Sequence, residues 1–450
     1  MRTWAELIKI NAGQTISSEY AIQHAISTIE LEIAMTNTDT TVNLQSKKPT
    51  LKRSLNLPLL VLYGLGTTIG AGIYVLIGSA SGEAGIYAPL AFLVAAIAIA
   101  PSAASYAELA GRFPVSAAEA VYVEEGFRSS LFSKMTGLLV VFSGVVAAAA
   151  ITVGCAGYLR VFVDWPTWIV ILGIVVSMGA IAILGILESV MLAALFTLIE
   201  VGGLLMIVMA GLSGSENINT GVPMIFNGLD NIDIWSGIAS AGLLAVFAFI
   251  GFEDMVNVVE ETKKPSITMP LAIAATLLIT AILYFLVTLV SVLAVNPSDL
   301  AQSEAPLSTV YEQLTGRSPT AISAIAVFAT LNTILVQFIM ASRVIYGLAD
   351  RSALPKVLSA VNGKTHTPIL ATIIVVALTA VFALAVPLAK LAQYTSMIIL
   401  LIWAVSNLAL ILIKLRKTPL PENCFRVPFW VPVLGLFFCG TFIFIALTNT

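Results

Sequence analysis

The sequence predicts an all-α protein that crosses a membrane many times. Hydrophobic residues make up 58% of the chain and charged residues only 10%, against about 25% charged in soluble domains. The mean hydropathy of +0.98 means more apolar surface than folding in water could bury. Apolar runs of about twenty residues, the length a helix needs to cross hydrocarbon, recur along most of the chain. Outer-membrane barrels would instead alternate apolar and polar residues over about ten positions.

Residues 1–55 read as a polar tail, in which QHAISTIELEIAM is either a short amphipathic helix or disordered chain. The tail lacks the basic and apolar sequence of a signal peptide. Eleven spans follow, at 57–79, 86–110, 134–162, 166–184, 187–211, 236–258, 267–294, 319–347, 369–388, 391–414 and 429–447. Basic residues set the orientation. Lys47, Lys48, Lys52 and Arg53 precede span 1, and the connections after spans 2, 6, 8 and 10 carry Arg112, Arg128, Lys263, Lys264, Arg351, Lys356, Lys364, Arg416, Lys417 and Arg426. The opposite connections carry little beyond Arg160, Arg317 and Lys390. The positive-inside rule then makes the N-terminus cytoplasmic.

Span 1 contains GLGTTIGAGIY (64–74), with Gly64, Gly66, Gly70 and Gly72 in eleven residues. Each interior glycine costs a helix about 0.8–1 kcal/mol relative to alanine. Either these glycines let neighbouring helices pack closely, as Gly66/Gly70 spacing permits, or the helix breaks there. Span 6, GLLAVFAFIGFEDMVNVVEE (242–261), is also interrupted by a glycine, Gly251, beside two carboxylates. The two interrupted spans lie five apart. A second five-span unit would therefore enter from the opposite side, the pattern of an inverted-repeat transporter. The expected units are 56–211, 236–415 and a further helix within 428–450. Backbone freed in mid-membrane is tolerated where it lines a cavity, and a half-helix N-terminus favours an anion.

GLGTTIGAGIY resembles the first-span signature of the amino acid–polyamine–organocation (APC) superfamily. SYAELAGRFPVSAAEAVYVEEGF (105–127), FAFIGFEDMVNVVEETKKPSITMP (247–270) and LNTILVQFIMASRVIYGLADRSALP (331–355) resemble later motifs of the same superfamily, in the same order. The resemblance covers about 55–447. It implies a LeuT-like 5+5 inverted repeat, here with one further helix, in which substrate lies between unwound parts of spans 1 and 6. Carried over by position, a substrate carboxylate would meet Ile69, Gly70, Ala71 and Gly72. The amino group would meet Phe247, Ala248 and Ile250. Phe247 also matches an aromatic gate of some relatives, or packs against core or lipid. Relatives commonly have twelve spans, so eleven place the C-terminus outside or leave the chain incomplete.

Ionisable groups inside spans are functional candidates, because hydrocarbon makes them costly. Glu200 in span 5 has nothing basic nearby in sequence. Desolvation disfavours its charged form, which makes it a candidate proton carrier, a protonated packing residue or a cation-binding group. Proton-coupled relatives have a lysine in this span, so glutamate departs from their pattern. Glu253 follows the span 6 interruption at a position acidic in several relatives. It is either a proton-coupling residue or a cap on freed backbone. Glu108 and Arg112 form a candidate helix-end ion pair or gate latch. Glu188 reads as a solvated residue at an interface. Asn332, Gln337, Thr395, Ser396 and Asn407 read as interhelical hydrogen-bonders.

Cys155, Cys424 and Cys439 show no metal spacing, and His24 and His366 fall outside the spans. No metal, cofactor, nucleic acid or enzyme chemistry is expected. The reading is a secondary active amino acid transporter in the cell (plasma or inner) membrane, importing with H+ by alternating access. An amino acid or polyamine exchanger is the alternative, and a non-transporting sensor a remote one. A channel would need a polar pore and rings of charge.

Overall fold

Hydrocarbon offers a freed backbone group no water, so a spanning chain must satisfy its amides locally, and helices do so within one segment. The computed structural model describes residues 55–70, 72–115, 118–184, 190–213, 221–350, 353–420 and 424–448. The polar tail, Ala71, Glu188 and Arg351 lie outside them.

The first expected span is two helices, α1 (Leu57–Ile69) and α2 (Gly72–Ala84). Asn56 starts α1 by accepting from Leu59 N at 3.1 Å, satisfying one of the N–H groups that a helix start leaves orphaned. There follow α3 (Ala88–Arg112), a connecting helix α4 (Ala118–Phe127), α5 (Ser130–Leu159), α6 (Thr167–Leu184) and α7 (Val190–Ser213). The sixth span is α8 (Ile232–Ala248), a turn, and a 3₁₀ segment over Glu253–Glu261. Then come α9 (Pro265–Ala294), the short connecting helices α10 (Pro297–Gln302) and α11 (Pro306–Thr315), and α12 (Thr320–Asp350). Last are α13 (Ile369–Ala385), α14 (Leu388–Leu415) and α15 (Trp430–Thr448). Among the described residues, nine helical runs are long and apolar enough to cross a membrane. One of these, 72–112, joins the second half of span 1 to span 2, and the 17-residue α13 is shorter than the rest. All eleven expected positions hold apolar helix, and the chain is an all-α polytopic membrane protein.

Two groups of helices emerge from the packing. In one, α1 and α2, α3, α8 and α9 touch one another; in the other, α5, α6, α12 and α13 do. Contacts also recur at a five-span offset. The α1–α9 contact is matched by α8–α3, α1–α7 by α8–α14, and α5–α14 by α12–α7. Large apolar side chains such as Val176, Leu278, Phe437 and Phe444 remain exposed, as a lipid-facing surface requires.

Polar ties join spans at both ends. At one end the fully buried Glu108 accepts from Arg112 Nε at 2.8 Å, Lys414 Nζ at 2.7 Å and Val427 N at 2.8 Å. The expected Glu108–Arg112 pair is present, and it reaches farther than the neighbouring sequence suggests, joining α3, α14 and the segment before α15. Lys263 N and Glu261 O bond to Leu55 O and N at 2.8 and 3.0 Å, tying the entry of span 1 to the exit of span 6. At the other end, Tyr158 of α5 donates to Tyr74 O of α2 at 2.6 Å and accepts from Leu307 N of α11 at 3.2 Å. Nearby, Arg160 pairs with Glu304 at 2.6 Å.

Removing one partner from a buried ion pair leaves an uncompensated charge and costs about 3–5 kcal/mol. Glu108→Ala strands Lys414 and Arg112 together, so it is expected to lower the thermal unfolding temperature in detergent by several degrees. Glu125→Ala, on an exposed side chain of α4, is expected to leave that temperature unchanged.

Candidate functional site

The glycines of spans 1 and 6 permit both close packing and interruption, so the two readings of GLGTTIGAGIY hold together. Positions where Gly66 and Gly70 would carry a Cβ are filled by the hydroxyls of Thr197 on α7 and Thr333 on α12. Yet α1 ends at Ile69, Gly70 leaves helical geometry at φ −16°, ψ −101°, and helix resumes at Gly72. The second interruption begins after Ala248. Phe249 N and Ile250 N bond back to Val246 O and Phe247 O at 3.1 and 3.2 Å, tightening the last turn of α8. Gly251 then takes φ +126°, a region that glycine alone enters freely.

These interruptions touch. A Cβ on Gly72 would collide with the backbone and Cβ of Ala248, and one on Gly251 would collide with the Thr67 carbonyl. Thr67 Oγ1 lies 3.0 Å from Gly251 O as a donor. Tyr284, in the middle of α9, donates to Thr68 O at 2.9 Å and Ala248 O at 2.8 Å. One hydroxyl proton thus serves two carbonyls on two broken helices and leaves each with spare accepting capacity. Helix α2 begins beside them at Gly72, against Ala248; the first N–H groups of a helix lack an intrahelical acceptor and carry the positive end of its dipole. A group with a cationic donor at one end and an anionic acceptor at the other complements this backbone.

Of the expected site residues, Ile69, Gly70, Gly72, Phe247 and Ala248 are buried at the two interruptions and Ile250 is half-buried. Ala71 lies outside the described residues. Glu200 is 2% exposed on α7, and its own carbonyl accepts from Tyr74 Oη of α2 at 2.6 Å. That bond sets Glu200 against α2, whose first residue Gly72 follows the interruption in span 1. Asn332 of α12 neighbours Glu200, although neither carboxylate oxygen has a partner at hydrogen-bonding geometry among the described residues. Glu253 is different. Its Oε2 accepts from Gly251 N at 3.0 Å, the cap anticipated as its alternative role.

Several participants escape a reading of the sequence. Tyr284, Thr67 and Thr68 act across the two interruptions; a lone tyrosine in the apolar run of span 7 is the one advance signal, since its hydroxyl needs a partner in lipid. Glu119, on α4, is 7% exposed. Burial pushes its carboxyl up to about 7, with Asp254 adding to the effect and its own backbone N–H opposing it. Of the expected interhelical bonders, Asn407 does reach across, donating to Ser102 Oγ at 2.8 Å. Thr395 instead bonds back to Leu391 O in its own helix. Ser396 Oγ and Gln337 Oε1 are buried without a partner among the described residues.

Tyr284→Phe deletes the donor shared by Thr68 O and Ala248 O while preserving the ring. Leaving buried acceptors unsatisfied costs about 1–3 kcal/mol, so thermal unfolding in detergent is expected several degrees earlier. An unchanged transition would mean that these carbonyls have another donor.

A sequence model of the family described as "Amino acid permease" matches residues 55–450. The chain is 29% identical over 424 residues to the branched-chain amino acid permease BcaP of Bacillus subtilis, covering 88% of each. It is 27% identical to cationic amino acid transporter 2, vacuolar, of Arabidopsis thaliana, over 85% of this chain and 63% of that one. To human cationic amino acid transporter 4 it is 29% identical, over 83% and 61% respectively. With nearly the whole helical part of the chain matched, the protein belongs to the amino acid permease family, whose members are transporters rather than enzymes.

Proposed function

We propose that the protein is a secondary active amino acid transporter that imports its substrate with protons by alternating access. The observation that carries this reading is the contact between two broken helices whose free backbone groups complement both ends of a zwitterion. The carboxylate meets the N–H groups from Gly70 to Gly72, beside Ile69, and the amino group meets carbonyls near Phe247, Ala248 and Ile250. Neither end then needs a charged side chain, which hydrocarbon would penalise. Relatives named for branched-chain and cationic amino acids support an amino acid as cargo. The buried carboxylates Glu253, Asp254 and Glu119, the first two following Gly251 in sequence, favour a cationic side chain as a second reading.

Helix contacts repeated at a five-span offset support a LeuT-like 5+5 inverted repeat over 56–211 and 236–415, with α15 added. The two packed groups of helices are the bodies that would rock about the site. Placement in the cell membrane with a cytoplasmic N-terminus rests on the basic residues of the connections.

Glu200 is the proton carrier in this scheme. An ionised carboxylate without a partner is costly in such surroundings, so its protonation follows whether water or substrate reaches it. Protonation of Glu253 would release its hold on Gly251 N and couple the second interruption to the same cycle.

The test is uptake of radiolabelled leucine and lysine into proteoliposomes with an imposed pH gradient. Acid outside is expected to accelerate uptake of at least one of them. Glu200→Gln is expected to lose the gradient-driven component by about tenfold or more while retaining exchange of internal for external substrate. Gradient-driven uptake that survives unaltered in this variant would remove Glu200 from the mechanism.

A further inference from the structure

The end of α14 and its connection to α15 carry a cluster of basic residues outside the proposed substrate and proton sites. Lys414, Arg426, Val427, Pro428 and Phe429 line an open recess of about 380 Å³. The Lys414 ammonium is already held by Glu108 and by Val427 O, at 2.7 Å each. Arg426 is exposed, and among the described residues it has no hydrogen bond or ion pair. Arg416 and Lys417 are exposed nearby in sequence, and Arg416 reaches Glu125 O at 3.2 Å. Phe429, which lines the recess, is 48% exposed, and its neighbours in sequence Phe425 and Trp430 are 40% and 59% exposed. They precede or begin α15, the level at which aromatic residues sit at a membrane surface.

We propose that this recess binds the headgroup phosphate of an anionic phospholipid. Arg426 supplies the planar, permanently charged fork that takes a phosphate through two parallel N–H donors. The Glu108 cluster contributes net positive charge behind it, since two cations there share one carboxylate. Phe429, with Pro428 and Val427, gives the glycerol and upper acyl chain an apolar wall. Basic pockets between membrane helices bind anionic headgroups in this way, whereas a free phosphate would gain nothing from the apolar wall. The lipid would brace the α14–α15 segment that Val427 already ties to α3.

Native mass spectrometry tests the site without any transport readout. The full chain would be extracted from bilayers of phosphatidylethanolamine with about 30% phosphatidylglycerol. The wild type is expected to retain phosphatidylglycerol, with retention falling about fivefold or more in Arg426→Ala. Arg317→Ala, an exposed basic residue outside the recess, is expected to retain it fully. Thermal shift in detergent separates the sources of phosphate. Added phosphatidylglycerol is expected to stabilise the wild type more than Arg426→Ala, and inorganic phosphate at millimolar levels to stabilise neither. Equal lipid retention by wild type and Arg426→Ala would overturn the proposal. So would stabilisation by inorganic phosphate equal to that by the lipid.

Discussion

A backbone group bared inside a bilayer has no water to complete it, and two helices here are broken where the bilayer is most demanding. Everything around the breaks answers that constraint. Tyr284 spreads one hydroxyl over Thr68 O and Ala248 O. Glu253 caps Gly251 N, and the Thr67 hydroxyl is shared between Gly251 O and Gly64 O of its own helix, at 3.0 Å each. Glycine at 72 and 251 lets the broken ends approach until main chain meets main chain. The two carbonyls that share the Tyr284 hydroxyl keep accepting capacity, and the proposed substrate site relies on it.

Three buried carboxylates differ in their partner sets. Glu108 accepts from two cations and a backbone amide and is locked in place. Glu253 holds one backbone N–H of the broken helix, so its state and the geometry of the break are linked. The Glu200 carboxylate has no partner at bonding geometry among the described residues, while its backbone carbonyl accepts from Tyr74 of α2. Burial alone would not distinguish them. The number and kind of donors does.

Periodicity along one chain reveals which segments enter lipid and where a helix is weak, because both depend on local composition. Eleven apolar segments and the glycines of both interruptions were legible for that reason. What touches what was not. Glu108 shows its partner Arg112 four residues away, but Lys414 and Val427 lie more than three hundred residues on. Tyr284 is a single polar residue in an apolar run, and nothing local says that it spans two breaks. Glu119 sits in a connection between spans, and its burial comes from packing that a sequence does not display. Thr395 looked like an interhelical donor because any threonine in a span does; its own helix supplied the acceptor instead.

The central claim is that main-chain atoms at two interruptions grip both ends of a zwitterion, and ligand truncation tests this where mutation of a backbone cannot. Titration calorimetry would compare a bound amino acid with the matching amine, which lacks the carboxylate, and the matching acid, which lacks the amino group. Hydrogen bonds to charged groups contribute about 1.5–3 kcal/mol each, so loss of either end is expected to weaken binding by about a hundredfold or more. An amine or an acid that binds as tightly as the parent amino acid would contradict the account.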